Sequence, residues 1–274
     1  MGIVNFILNL AGLLLWLNWR STRFDPLAKR RPATLMGTLR PAAPKKIQRW
    51  HLLAFLAAML FLRAIIYRWI APFWIGTLDL GVVAPSFRSD WFWGMLAFSF
   101  LSFGLTLGIF FVELLLLSLV GGPDPMQGLV KIPLGRVDDW PRTLKIMLPL
   151  FATTIFWWLT SWLLVWLHIL PPLVSVAQRL EQSLVIGLGS FLVWKFPLGI
   201  LLTLHLLNSY VYFGKHPFWK YVNATAITLL SPLKKIPLRA GKVDFAPVVA
   251  LGLVFLSAEM AARGLNLLYA QLPF

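Results

Sequence analysis

Apolar runs long enough to cross a bilayer recur six times along this 274-residue chain, and nothing else in it constrains folding so tightly. A helix rises ~1.5 Å per residue, so crossing ~30 Å of hydrocarbon takes roughly 20 apolar residues. Ile3–Trp19, Trp50–Trp69, Trp91–Val120, Ile146–Leu170, Leu184–Phe213 and Phe245–Leu268 come close to or exceed that length. Inside lipid each backbone N–H and C=O needs a partner within its own segment, which leaves the helix as the solution. The expected fold class is therefore all-α: a polytopic α-helical membrane protein with about six transmembrane helices. Composition closes the soluble alternative, because 13% charged residues cannot build a water-facing surface for a chain that is 59% hydrophobic.

Charge sorts the connections between these runs. The first, third and fifth connections hold 19 of the 25 Lys and Arg, whereas the intervening ones hold only Arg88 and Arg179. Basic residues near span ends stay on the cytoplasmic side, so these three loops are expected in the cytoplasm with both termini outside. The expected location is a membrane that the chain crosses several times. The net charge of +15 is then explained by this asymmetry and by anionic lipid, and nucleic acid is not an expected partner. With no Cys, disulfides, thiolate catalysis and Cys-ligated metals are excluded. The first apolar run lacks a basic n-region and a small-residue cleavage site, so it reads as a retained span.

The fifth connection is the most informative. In His216–Val254, Phe218, Val222, Ala226, Leu229 and Leu233 recur at helical spacing, with Lys220, Asn223, Thr228 and Lys234 between them. That pattern suits a short helix lying in the headgroup region, apolar side down. Ser231 before Pro232 marks a break or a new turn. The order of small, basic and Pro residues here resembles the signature of the YggT (YlmG-like) integral membrane proteins. It is carried by His216, Pro217, Ser231, Pro232, Leu233, Lys234 and Lys235, and then by Pro237, Gly241, Asp244, Phe245 and Pro247. Gly241-Lys242 stands where the family usually has two Gly, and Lys replaces Arg in the basic pair. The resemblance implies a role in membrane-complex biogenesis, envelope or division organisation, or osmotic tolerance. Some plastid relatives are linked to assembly of the cytochrome b6 haem.

Weaker echoes of the segment sit in the other basic loops, at Asp25-Pro26-Leu27 and Asp124-Pro125-Met126. They suggest three span–interfacial helix–span repeats, at 1–74, 75–170 and 171–274, with the third carrying the motif.

Ionisable residues inside spans are the default functional candidates. Glu113 lies deep in the third run and Lys195 near the middle of the fifth, where they could pair and fix helix docking. Pro197 is expected to break the fifth run. Glu259 and Arg263 are four apart in the sixth and can pair on one face as an anchor near its outer end. Of the four His only His205 is mid-span, so no bis-His haem set is present, and no cofactor is expected. Asp138-Asp139 reads as a helix-start acid. Trp157, Trp158, Trp162 and Trp166 suggest an aromatic stripe along the fourth run, contacting lipid, pigment or a partner helix. No protease, nucleotide-binding or hydrolase motif occurs, so neither a catalytic nor a metal-binding set is assigned.

The resulting expectation is a non-catalytic organiser, assembly factor or accessory subunit of a membrane complex. Lys220, Lys234, Lys235, Arg239 and Lys242 would contact anionic lipid or partner proteins, and other membrane subunits or a homo-oligomer would be its neighbours. The alternative is a small-solute or ion transporter or channel using Glu113 and Lys195.

Overall fold

A computed structural model describes residues 2–21, 49–70, 73–120, 127–172, 175–211, 216–235, 238–240 and 243–272. Helices dominate these residues: α1 (Gly2–Ser21), α2 (Arg49–Ile70), α3 (Phe92–Val120), α4 (Gln127–Leu134) and α5 (Arg142–Trp166). They are followed by α6 (Val176–Gly189), α7 (Lys195–Tyr210), α8 (Pro217–Leu229) and α9 (Ala246–Gln271). Among the described residues strands are confined to β1 (Ile75–Thr77), β2 (Ser86–Arg88), β3 (Arg239–Ala240) and β4 (Val243–Asp244). Among the described residues six spans are long and apolar enough to cross a membrane: α1, α2, α3, α5, α6 with α7, and α9. The third and sixth apolar runs match α3 and α9 within three residues at each end.

The chain divides into two compact units. The first comprises 1–76 and 87–107, so α3 lends it only its N-terminal half. On α2, Leu52, Leu56, Leu60, Arg63, Ala64 and Tyr67 are buried at helical intervals. Leu56, Leu60 and Phe103 form the core, with Trp16, Met59 and Leu107 against it. Gly12 lets α1 approach closely, since a Cβ there would come within 2.8 Å of the Phe103 ring. Tyr67, Trp74, Phe87 and Phe98 stack edge-on or tilted at the Tyr67 end of α2.

The second unit comprises 77–86 and 108–274. Leu114 and Leu115 of α3 pack on Val130 and Leu134 of α4. The α5–α6 contact in this unit is close at Gly187. A Cβ on Gly187 would meet the Thr154 hydroxyl at 2.1 Å and the Leu150 carbonyl oxygen at 2.9 Å, and the latter is backbone that cannot rotate away. Gly187→Ala is therefore expected to destabilise the protein by ~1–2 kcal/mol, measurable as a lowered thermal midpoint in mild detergent.

The fifth span departs from its expected form. It starts eight residues before Leu184, at Val176, and its irregular stretch is the 3-10 turn Ser190–Trp194. That turn leads directly into Lys195 and Pro197, and Pro197 has no N–H for the Val193 carbonyl four residues back, so the break falls where the sequence places it. The early residues Gln178, Arg179, Gln182 and Ser183 read as a polar loop, yet they form one buried face of α6. They are hidden because that face lies against α5 rather than against water or lipid.

Candidate functional site

The segment between α7 and α9 folds as a helix, a 3-10 turn and a hairpin. Pro217 sits at the first position of α8, and the His216 ring Nδ1 accepts a hydrogen bond from the Phe218 N–H at 3.3 Å. A fixed proline φ and a side-chain acceptor are what a helix start requires. Val222, Thr225 and Ala226 are fully buried and Tyr221 nearly so, whereas Lys220, Ile227 and Thr228 are exposed. The apolar stripe expected to face the headgroups is thus applied to the neighbouring protein. Asn223, read as part of the polar side, faces α7: its Oδ1 lies 2.9 Å from His205 Nδ1. That contact accounts for the one mid-span His.

Beyond α8, Leu230 is buried with Leu202 of α7 and Ala250 of α9, and Leu233 packs against them. Ser231 and Pro232 open the 3-10 turn Ser231–Lys235, which contains Lys234 and Lys235. Arg239 and Ala240 pair antiparallel with Asp244 and Val243. Asp244 Oδ1 accepts from the Ala246 N–H at 3.0 Å, and Pro247 is buried in the first turn of α9 beside the exposed Phe245. The small and Pro residues of the motif therefore mark helix starts. Pro237, Gly241 and Lys242 lie outside the described residues, as do Lys45 and Lys46 of the first basic loop.

The intramembrane charges are arranged differently from the expected pair. α3 does meet the turn that leads into α7, since Trp194 Nε1 donates to the Val112 carbonyl at 3.0 Å. Among the described residues, however, no ion pair joins Glu113 to Lys195. The Lys195 ammonium lies 5.1 Å from the centroid of the Phe196 ring. The Trp stripe of α5 is also split: Trp157 is buried, while Trp162 and Trp166 are exposed. Trp162 is covered by the Arg179 guanidinium, 3.9 Å from its ring centroid. Arg179 is 6% exposed, and its Nε and Nη1 have no hydrogen-bond partner among the described residues.

Two polar clusters were not read from the sequence. In the first unit Arg63, 1% exposed, donates from Nη1 to Asn9 Oδ1 at 2.6 Å and from Nη2 to Ser102 Oγ at 3.1 Å and to Asn5 Oδ1. Asn9 Nδ2 also donates to Ser102 Oγ at 3.0 Å. Three helices are tied by one side chain. The available signal was Asn5 and Asn9, four apart on an apolar helix and hence on one face.

The second cluster joins α3, α4 and α5. Ser118 Oγ donates to Asp138 Oδ1, and Lys145 Nζ donates to Ser118 Oγ at 2.8 Å. Lys145 and Lys131 lie 3.5 Å and 3.4 Å from the Asp138 carboxylate. Burial disfavours the charged carboxylate, but the Ser118 hydrogen bond and the charges of Lys145 and Lys131 outweigh it. The Asp138 carboxyl is accordingly held below the usual aspartate range. Asp138 is thus an ion-pair centre and not simply a helix-start acid.

These features define an all-α, multi-pass membrane protein. Among the described residues no three His, Asp or Glu side chains gather as a metal site. No protein-family model, curated protein or solved structure matches the chain.

Proposed function

We propose that this chain is a YggT-like, non-catalytic organiser, assembly factor or accessory subunit of a membrane complex in a bacterial inner membrane. The observation that carries the reading is α8: a half-buried helix fixed to α7 through His205 and Asn223, with Lys220 outward and a Lys234-Lys235 turn beside it. A helix anchored in this way holds basic side chains at a defined height, where anionic headgroups or an acidic partner surface attract them by ~1 kcal/mol per charge. By the asymmetry of Lys and Arg this face is cytoplasmic and both termini are outside. Replacing both Lys234 and Lys235 with Glu reverses two charges. The expected result is normal insertion with loss of co-purifying anionic lipid or partner protein, read by mass spectrometry after mild-detergent extraction. Unchanged association would remove the basis of the proposal.

A second reading, passage of a small solute or ion, draws on Glu113, which is half-buried in α3 and has no ion-pair partner among the described residues. It predicts flux in proteoliposomes that Glu113→Gln abolishes. Equal flux from vesicles with and without protein would dismiss it.

A further inference from the structure

Glu259 and Arg263 form an ion pair within α9, with Arg263 Nε 3.0 Å from Glu259 Oε1. Their depth makes the pair unusual. Glu259 stands near the midpoint of the 26-residue α9, with ~18–20 Å of helix on either side. A helix of this length that crosses the bilayer carries Glu259 within the hydrocarbon layer. Both side chains are open, at 57% and 76% exposure for Glu259 and Arg263, among the exposed Leu256 and Met260. Charged side chains at this depth are costly in lipid and nearly always face a bundle interior or a water-filled cavity. Here the side of α9 that packs on its own chain is a different one, bearing Pro247, Ala250 and Leu265.

The exposed face is shaped for close approach by another helix. Gly252, Glu259 and Arg263, spaced by seven and four, align along it, and a Cβ on Gly252 would meet nothing. The face carries one acid and one base a turn apart, which makes it self-complementary. Two copies inserted in the same orientation and related by a two-fold axis along the membrane normal bring their Glu259 residues to the same depth. Each carboxylate then lies within reach of its own Arg263 and that of the second copy, ~6 Å further along the axis. The four charges sum to zero, and protein replaces lipid around them. A different partner would need its own acid and base at the same depth, whereas a second copy supplies them by symmetry.

We propose that this face of α9 is a homodimer interface within the membrane, held by reciprocal Glu259–Arg263 pairs. The proposal rests on the six-span fold and not on the role suggested for α8.

Because the chain has no Cys, single introduced thiols report the contact directly. The full-length protein with Leu256→Cys, on the proposed face, is oxidised in bilayer vesicles and compared with Ala261→Cys, at similar depth on another side of α9. Disulfide dimers from Leu256→Cys alone are expected. Glu259→Gln should weaken dimerisation at least ~30-fold, read by dilution of fluorescent copies in vesicles, which corresponds to the ~2 kcal/mol lower bound for removing one partner of a buried charge pair. Glu259→Arg copies alone and Arg263→Glu copies alone should stay monomeric, and a mixture of the two should dimerise. The proposal is overturned if Leu256→Cys forms no more dimer than Ala261→Cys, if it crosslinks only to another protein, or if inserted copies of the two reversed variants fail to associate when mixed. Should the reversed variants not insert, the comparison of the two thiols decides alone.

Discussion

Arg63→Ala is expected to lower the unfolding free energy in mixed micelles by ~3 kcal/mol. Three hydrogen bonds vanish with the guanidinium, to Asn5, Asn9 and Ser102. Inside membrane bundles such bonds average only ~0.6 kcal/mol each, so together they account for ~2 kcal/mol. The cavity matters as much, because Arg63 is among the largest fully buried side chains and truncating large core residues typically costs at least ~2 kcal/mol. Relief from holding a desolvated cation offsets part of this sum without reversing it, since the carbonyl oxygen of Asn9 is left without its donor. Arg63→Lys keeps the charge but loses the planar fork that reaches two helices at once, and should fall between the two. An Arg63→Ala protein as stable as the parent would mean that the network contributes nothing to holding α1, α2 and α3 together.

Arg63 also illustrates what the sequence could and could not convey. The six spans were legible because apolar length alone dictates them, and α8 was legible because Val222 and Ala226 recur at helical spacing behind Pro217. Polar residues inside spans carry no such period. An Arg near the end of an apolar run reads as a snorkelling terminus, and only its three-helix neighbourhood makes it a tie. Glu113 and Lys195 were the conspicuous opposite charges, yet charge type alone does not specify register: Trp194 rather than Lys195 bonds across to α3. The polar start of α6 was taken for loop because a sequence lists which residues are polar without saying which of them will be buried against another helix.

Asp138→Asn tests the other cluster, and pH tests it twice. Asp138 and Lys145 are 10% and 9% exposed, so removing the carboxylate's charge leaves a nearly buried ammonium with only the Ser118 hydroxyl beside it. Breaking a buried pair on one side costs ~3–5 kcal/mol, and the lower figure applies because that hydroxyl still accepts from Lys145. Lys131 adds little: it is 55% exposed, and exposed pairs contribute ~0–1 kcal/mol. The expected loss at pH 7 is therefore ~3 kcal/mol. The folded-state carboxyl pKa is depressed below the unfolded value of ~3.9, so its contribution is complete above that value and disappears as pH falls through the lower, folded one. Unfolding curves of parent and variant should thus differ fully at pH 7, begin to converge below ~pH 5, and meet once the folded carboxyl is protonated. A gap that persists undiminished into acid would assign the destabilisation to lost packing or hydrogen-bond geometry rather than to charge. A gap absent at pH 7 would mean that α3, α4 and α5 are held together by the Leu114, Leu115, Val130 and Leu134 contacts alone.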